Sequence, residues 1–136
     1  MCDSRQPASP PTLFDHLHRY DRVLEVGIGR RTDLAAALAA DGVSVTGIDV
    51  HRREVPEGVT FVRDDIVDPD RSVYEGCEAI YARNLPPELH RPALEVARAV
   101  GADFLFTTLG GDQPAVPVER KTIREGTLYV VVADRG

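Results

Sequence analysis

A pair of glycines and an acidic residue interrupt an apolar stretch at residues 24–29, which reads LEVGIG. A glycine pair between a strand and a helix lets the backbone approach a ligand closely, at a helix N-terminus that favours anions. The alternative for Gly27 and Gly29 is a tight turn that binds nothing. Glu25 lies within the apolar strand, where a buried carboxylate must be hydrogen-bonded or paired. We therefore expect Glu25 to accept hydrogen bonds from nearby backbone N–H groups and to brace a ligand loop.

Two further carboxylates follow the next two apolar segments. Asp49 comes 22 residues after Gly27, and a carboxylate about 20 residues beyond a glycine loop is well placed to bind ribose hydroxyls. Taken alone, Asp49 is also an ordinary strand-end aspartate that turns the chain. Asp65 follows the third segment, where Asp64 is an equal competitor and a solvated acidic loop is the alternative. The spacing thus predicts a ribose-binding edge.

Arginines gather after the same segments. Lys121 is the only lysine among the 16 basic residues, so the other 15 are arginines. Six of them follow four predicted strands: Arg30, Arg31, Arg52, Arg53, Arg63 and Arg83. This arginine rim suits an anionic partner, a nucleotide or an RNA, because a guanidinium makes paired hydrogen bonds to carboxylate or phosphate. The alternative is that these arginines pair with nearby acids: Asp33, Glu54, Asp64 and Asp65.

The histidines and cysteines indicate little chemistry. His51, beside Asp49, is the one histidine that we would test as an acid or a base. The other three, His16, His18 and His90, are expected at the surface. The spacing of histidines and cysteines matches no zinc site, and the sequence has no Gly-x-Ser-x-Gly or Walker motif.

Alternating strands and helices must position these residues. Apolar runs predict strands at residues 22–26, 43–48, 59–62, 79–82 and 104–107. Helices are predicted at residues 12–20, 32–41 and 86–100, and a terminal hairpin pairs residues 116–123 with 127–133.

This alternation indicates an α/β fold, a Rossmann-like three-layer sandwich with a mostly parallel sheet and a C-terminal antiparallel hairpin at one edge. The links after the second and fifth strands are too short for a full helix. We expect residues 12–136 to form a single domain after a flexible tail at residues 1–11.

The order Glu25-x-Gly27-x-Gly29, then Asp49, then Asp65 resembles the Rossmann-like class of S-adenosylmethionine-dependent methyltransferases over residues 22–107. The resemblance implies S-adenosylmethionine as the cofactor. Its methionine part would lie in the glycine loop, its ribose hydroxyls on Asp49 and its adenine near Asp65. The fingerprint of nicotinamide-binding proteins is the rival, but it has an apolar residue where Glu25 stands.

Two positions depart from the methyltransferase pattern. The usual third glycine of the loop is Arg31 in this chain. Residues 84–88, NLPPE, stand where amino-methyltransferases carry a polar residue, two prolines and an aromatic, so the catalytic residue stays unknown. In its brevity the chain resembles the uncharacterised archaeal protein family numbered 0146, which consists of small methyltransferase-like proteins with no assigned activity.

Three functions are compatible with these features. The first is a methyltransferase that acts on an anionic small molecule or an RNA. The second is a non-catalytic module that binds S-adenosylmethionine, its demethylated product or a dinucleotide. The third is a scaffold without a ligand, a monomer or a homodimer, in which the strand Thr127–Ala133 pairs with a second copy if it lies at a sheet edge.

Composition restricts the partners and the compartment. The 136 residues carry a formal net charge of −6, which disfavours binding to DNA and to anionic membranes. The sequence has no apolar run of membrane-spanning length and no secretory signal, and Cys2 and Cys77 suit reduced thiols, so we expect a cytoplasmic protein. An acidic, lysine-poor, alanine-rich chain is typical of a salt-adapted, halophilic cytoplasm, and the family resemblance implies an archaeal one.

Overall fold

Seven strands form one sheet in the computed structural model, which describes residues 9–134. The strands are β1 (Arg22–Val26), β2 (Ser44–Asp49), β3 (Val59–Arg63), β4 (Ala79–Ala82), β5 (Asp103–Phe106), β6 (Glu119–Ile123) and β7 (Gly126–Val131). The helices are α1 (Leu13–Leu17), α2 (Asp33–Ala40) and α3 (His90–Val100). The strand order is β3-β2-β1-β4-β5-β7-β6, and β7 runs antiparallel to both neighbours. The predicted α/β class, with a mostly parallel sheet and a C-terminal hairpin, is confirmed.

The two faces of the sheet carry separate hydrophobic cores. In β1, Val23 belongs to the core beneath α1 and α2, whereas Leu24 and Val26 belong to the core beneath α3. This alternation follows from the two-residue period of a strand, which sends successive side chains to opposite faces. Helices therefore cover both faces, as the predicted three-layer sandwich requires.

Several connections between strands are short. Residues 50–58 join β2 to β3 without a helix, and residues 107–118 join β5 to β6 in the same way. The crossover from β3 to β4 holds a single 3₁₀ turn at Arg71–Val73. Loops therefore border much of the carboxyl edge of the sheet, which is where open α/β sheets bind their ligands.

The order of the two strands in the terminal hairpin decides which of them lies at the edge. Pairing of Thr127–Ala133 with a second copy requires that this strand lie there. The strand corresponds to β7, which lies inside the sheet between β5 and β6, so the condition for that pairing is not met. The reason is physical: Leu128 and Val130 are buried, so the apolar strand is covered by neighbours, while the charged strand β6 takes the edge.

Both ends of the chain lie outside the described residues. These are residues 1–8 of the tail predicted at residues 1–11, which include Cys2, and residues 135–136. The carbonyl of Pro11 accepts a hydrogen bond from the Arg124 amide at 2.9 Å. Cys77 is buried with a free thiol. Between residues 9 and 134, none of the helices combines the length and the apolar character that crossing a membrane requires.

Candidate functional site

The strand order reverses between β1 and β4, and a crevice opens there at the carboxyl edge of the sheet. Reversal points of this kind are the usual ligand sites of open α/β sheets. The crevice has a volume of about 190 Å³ and is formed by the loops after β1 and β4. Its lining residues are Glu25, Gly27, Ile28, Gly29, Arg30, Arg31, Arg83 and Asn84. We call it the switch-point crevice.

Glycines shape the loop after β1. Gly27 and Gly29 adopt φ angles of 67° and 57°, which residues with a Cβ atom rarely adopt. A third glycine, which the sequence analysis missed, lies in β2: a Cβ atom on Gly47 would come within 2.5 Å of Ile28 Cδ1. Gly47 therefore leaves room for Ile28, whose amide donates a 3.0 Å hydrogen bond to the Ile48 carbonyl. Only the packing reveals this requirement.

Glu25 is buried beneath this loop, with 2% of its surface exposed. It stands beside Tyr81 in the register of β1 and β4, and the Tyr81 hydroxyl donates a 2.9 Å hydrogen bond to its carboxylate. The Arg83 guanidinium lies 3.5 Å from the other carboxylate oxygen. The expected backbone N–H partners are thus replaced by two side chains. Burial raises the pKa of Glu25 to about 7, although Arg83 and Tyr81 favour the ionised form.

Asp49 ends β2 and holds the glycine loop in place. Its Oδ2 accepts a hydrogen bond from the Gly29 amide at 3.0 Å, and its Oδ1 accepts one from the His51 amide at 2.9 Å. Burial alone would raise the pKa of Asp49. The two amide hydrogen bonds and the nearby Arg53 charge outweigh burial and hold that pKa below its ordinary value. Asp49 is therefore an ionised carboxylate, and a carboxylate has acceptor sites beyond these two bonds.

The two acidic residues after β3 have different surroundings. The carboxylate of Asp64 accepts a 2.6 Å hydrogen bond from the hydroxyl of Tyr74 and a 3.2 Å bond from the amide of Asp70. Asp65 is exposed, and its carboxylate accepts a hydrogen bond only from the Val67 amide, at 2.9 Å, within the described residues. Asp65 lies two strands away from the crevice and is the carboxylate more open to a ligand.

The arginine rim divides into paired and open members. Arg83 donates a 2.7 Å hydrogen bond to the Arg31 carbonyl and lies 3.4 Å from Asp33 as well as near Glu25. Arg53 lies 3.4 Å from Asp49. Four members form no salt bridge within residues 9–134 of the structure: Arg30, Arg31, Arg52 and Arg63. The expected pairing therefore accounts for part of the rim only.

A larger cavity of about 680 Å³ adjoins the switch-point crevice. Arg31, Arg83 and Asn84 line both spaces. The remaining walls come from α1, the start of α2, the loop after β5, the β6–β7 turn and β7: Leu13, Asp33, Leu34, Thr107, Thr108, Gly110, Glu125, Gly126, Thr127 and Tyr129. We call it the hairpin cavity. The sequence analysis missed it because its walls are distant in the chain.

Asn84 stands where the two spaces meet. Its φ of 55° is the only positive φ among the non-glycine residues that the structure describes, and asparagine tolerates this conformation better than most residues. The Thr107 hydroxyl fixes the backbone by accepting a 2.9 Å hydrogen bond from the Asn84 amide. The loop after β4 is thereby tied to the loop after β5.

The histidine predictions had mixed outcomes. His51 is exposed, and its contact with Asp49 is made by its backbone amide. His90, expected at the surface, is fully buried, so that expectation is wrong. Its Nδ1 accepts a 3.0 Å hydrogen bond from the Ala115 amide, and its Nε2 lies 2.9 Å from the Leu85 carbonyl. His90 is neutral in this arrangement, with the proton on Nε2, and it joins the loops after β4 and β5.

The class that the comparisons establish is one of fold: the chain shares the fold of the Rossmann-like methyltransferases. An RNA methyltransferase from Salinibacter ruber, solved with S-adenosyl-L-homocysteine, matches with a TM-score of 0.65 and 15% identity. The match covers 90% of this chain and 89% of that chain. More particularly, the chain belongs to the uncharacterised protein family UPF0146, whose family model matches residues 8–135. The predicted family resemblance is confirmed.

Archaeal relatives support the family assignment. The UPF0146 protein of Halobacterium salinarum strain R1 is 53% identical over 122 residues, which cover 89% of this chain and 95% of the relative. The UPF0146 protein of Archaeoglobus fulgidus is 47% identical over 91 residues, which cover 67% of this chain and 70% of the relative. The family is thus archaeal and includes halophilic members.

Fold likeness alone does not select the ligand. A protein from Rhodobacter sphaeroides described as a zinc-dependent alcohol dehydrogenase also matches, with a TM-score of 0.54 and 14% identity over 79% of this chain and 45% of that chain. The choice between a methyl donor and a dinucleotide therefore depends on the residues at the crevice.

Proposed function

We propose that this protein binds S-adenosylmethionine along the carboxyl edge of the sheet, with the methionine part in the switch-point crevice, and transfers its methyl group to an anionic small molecule or an RNA. The observation that carries the proposal is the hydrogen bond from Gly29 to Asp49, which joins the glycine loop and the strand-end carboxylate into one unit. Glu25 beneath this loop distinguishes the site from a nicotinamide fingerprint. The methyltransferase fold of the neighbours supports the same class.

The residues present fit this cofactor. Gly27 and Gly29 line the crevice and have no side chains, so they leave the loop backbone open to a ligand. Arg30 and Arg31 are exposed cations beside it and suit the methionine carboxylate. Asp49 is ionised and suits the ribose hydroxyls, and exposed Asp65 suits the adenine amino group. When bound, S-adenosylmethionine supplies an electrophilic methyl group.

The contribution of the chain itself is positioning. Methyl transfer needs donor and acceptor held in line, and correct placement alone lowers such barriers substantially. The hairpin cavity is the space for the acceptor, because it adjoins the crevice through Asn84 and Arg83. Its volume of about 680 Å³ lies within the range of small-molecule sites. The tie between Asn84 and Thr107 keeps the junction of the two spaces fixed.

One observation favours a second candidate, a binding module without turnover. Both carboxylates that line the hairpin cavity are already engaged. Asp33 lies 3.4 Å from Arg83, and Glu125 accepts hydrogen bonds from the Leu13 amide at 3.2 and 3.3 Å. The cavity therefore offers no unengaged carboxylate as a general base.

Calorimetric titration tests the proposed binding. We expect micromolar affinity for S-adenosylmethionine and S-adenosylhomocysteine and no heat from NAD, in high-salt buffer. The Asp49→Asn variant should bind S-adenosylhomocysteine at least tenfold more weakly, because it loses the charge that accepts ribose hydroxyls. Asp21→Asn, an exposed substitution just before β1 at the opposite edge, should stay within twofold of wild type. Unchanged affinity in Asp49→Asn, or binding of NAD alone, would contradict the site.

Labelled methyl transfer separates the two candidates. The protein is incubated with S-adenosylmethionine carrying a tritiated methyl group and with the small-molecule and RNA fractions of an archaeal extract. Label in either fraction with wild type, absent with Asp49→Asn, supports the transferase. Donor binding without label in any fraction supports the binding module.

A further inference from the structure

A third cavity lies between the link from β2 to β3 and the edge strand β3. It has a volume of about 400 Å³ and is lined by three arginines and one aromatic residue: Arg52, Arg53, Phe61 and Arg63. The link at residues 50–58 supplies two of the arginines, and the edge strand β3 supplies the other two residues. We call it the arginine cavity. It shares no lining residue with the switch-point crevice or the hairpin cavity.

The positive charge of this cavity is little neutralised by the protein. Arg52 and Arg63 are both exposed, and neither forms a salt bridge within the described residues. Arg63 is held in place because its Nε donates a 2.9 Å hydrogen bond to the Val50 carbonyl. The neighbouring acids in the link, Glu54 and Glu57, pair with none of the three arginines.

Arg53 also lines the cavity and is held in place by Asp49. Its Nε is enclosed by the protein and lies 3.4 Å from Asp49 Oδ2, which also accepts a hydrogen bond from Gly29. The Arg53 side chain remains 25% exposed, and this residue forms part of the cavity wall. The exposed part of Arg53 therefore adds a third positive charge to the wall of the cavity.

Phe61 indicates that the ligand carries an aromatic group beside its anionic one. Its half-buried ring lines the cavity among the three guanidinium groups. Guanidinium groups bind phosphate oxygens in pairs, and an aromatic ring offers a surface on which a base stacks. The volume of about 400 Å³ falls within the usual range of small-ligand sites.

We propose that the arginine cavity is a second ligand site, which binds the phosphate of a nucleotide through Arg52, Arg53 and Arg63 and its base against Phe61. The nucleotide is either free or part of an RNA strand, since both carry the same chemistry. This proposal is separate from that of the methyl donor, because the arginine cavity and the switch-point crevice share no lining residue. It also explains how a chain with a net charge of −6 attracts a phosphate: the positive charge is concentrated at one place.

The test uses uracil ligands, which avoid competition with adenosine at the switch-point crevice. Uridine 5′-monophosphate, uridine, orthophosphate and a pentauridylate RNA are titrated into the full-length protein. The Arg52→Gln/Arg63→Gln variant removes two charges and leaves Arg53, the partner of Asp49, intact. The matched control Arg91→Gln/Arg98→Gln removes two exposed charges from α3. Circular dichroism checks that each variant is folded.

We expect wild type to bind uridine 5′-monophosphate at least tenfold more tightly than uridine or orthophosphate. The Arg52→Gln/Arg63→Gln variant should lose at least tenfold in this affinity, whereas the control should stay within twofold. The conservative variant Phe61→Leu should weaken the nucleotide about fivefold and leave orthophosphate unchanged. Tighter binding of pentauridylate than of the mononucleotide identifies RNA as the source of the phosphate, and the reverse order identifies a free nucleotide.

Three results would overturn the proposal. The first is absence of binding by both uridylate ligands. The second is an equal loss of affinity in the control variant. The third is displacement of uridine 5′-monophosphate by saturating S-adenosylhomocysteine, which would place both ligands in one site. Binding of S-adenosylhomocysteine is measured separately on the same variants, so failure of the methyl-donor proposal is recognised independently.

Discussion

Glu25 is a carboxyl group whose charge is opposed by its surroundings. Burial at 2% exposure raises its pKa to about 7, against the attraction of Arg83 and the hydrogen bond from Tyr81. The protonated form is therefore the more stable one in the folded chain over much of the acidic range. This residue links proton binding to folding, and the linkage has a definite sign.

The prediction for Glu25 concerns stability against pH. Below about pH 4.5 the residue is protonated in both the folded and the unfolded chain. Between about 4.5 and 7 the unfolded chain loses the proton first, so the free energy of unfolding should fall by about 3 kcal/mol as the pH rises. Glu25→Gln should lack this decrease, because glutamine does not ionise and still accepts the Tyr81 hydrogen bond.

Urea unfolding from pH 4.5 to 7.5 measures the effect as the difference between wild type and Glu25→Gln. Other titrating groups contribute equally to both proteins and cancel. Glu57→Gln, an exposed substitution in the link before β3, should follow wild type. Parallel curves for wild type and Glu25→Gln would show that the carboxyl titrates normally in the folded chain.

Residue spacing predicted part of the candidate site. The distance from Gly27 to Asp49 is local to one strand–helix–strand unit, so the sequence indicated that both lie at one edge. The partners of Glu25 were not predictable in this way. Tyr81 is 56 residues away, and its position opposite Glu25 depends on the register of β1 and β4. The same register brings Arg83 close to Glu25, so Arg83 forms salt bridges within the protein. Other arginines of the rim form none and are open to a ligand.

At the scale of elements, hydrogen bonds join the loop after β4 to the loop after β5. His90 joins them through Leu85 and Ala115, and Thr107 joins them through Asn84. These loops border the hairpin cavity, and the loop after β5 joins two strands without a helix. The sequence indicated this helix-free link, since its length can be counted. It did not indicate the buried histidine, because a polar residue in the first turn of a helix is ordinarily exposed.

We expect His90→Leu to destabilise the protein by about 2–4 kcal/mol. Leucine fills the buried space but leaves the Leu85 carbonyl and the Ala115 amide without their partner. Hydrogen exchange at the Ala115 amide should also accelerate at least tenfold in this variant. The surface substitution His18→Gln should change the stability by less than about 0.5 kcal/mol. Unchanged exchange at Ala115 would mean that the loop is held by other contacts.

For the whole molecule, the arrangement of the sheet edges governs association. The edge strand β6 exposes Glu119, Arg120 and Lys121, and charged side chains at an edge oppose pairing with another chain. Strand and helix alternation was enough to predict the parallel part of the sheet. The order of the last two strands was not predicted, because adjacent antiparallel strands can insert in either order. Burial of Leu128 and Val130 settles that order.

The edge argument predicts a monomer of 14.9 kDa in sedimentation experiments. Replacing two charges in β6, as Glu119→Val/Lys121→Val, should produce dimers or larger species at the same concentration. A matched variant on the exposed surface of α3, Glu95→Val/Arg98→Val, adds the same apolar groups without a strand edge and should remain monomeric. A wild-type dimer that persists in high salt would contradict this prediction.

The hairpin cavity has a consequence for the order in which the molecule is assembled. Its walls combine Leu13 with Glu125, and the hydrogen bond between these residues spans 112 positions of the chain. The switch-point crevice, by contrast, uses residues 25–31 and 83–84. During synthesis the crevice is therefore complete in sequence long before the cavity is, and long-range closures of this kind form late in folding. The residues of the proposed donor site are thus synthesised first, and the proposed acceptor space arises only when the last hairpin closes on the first helix.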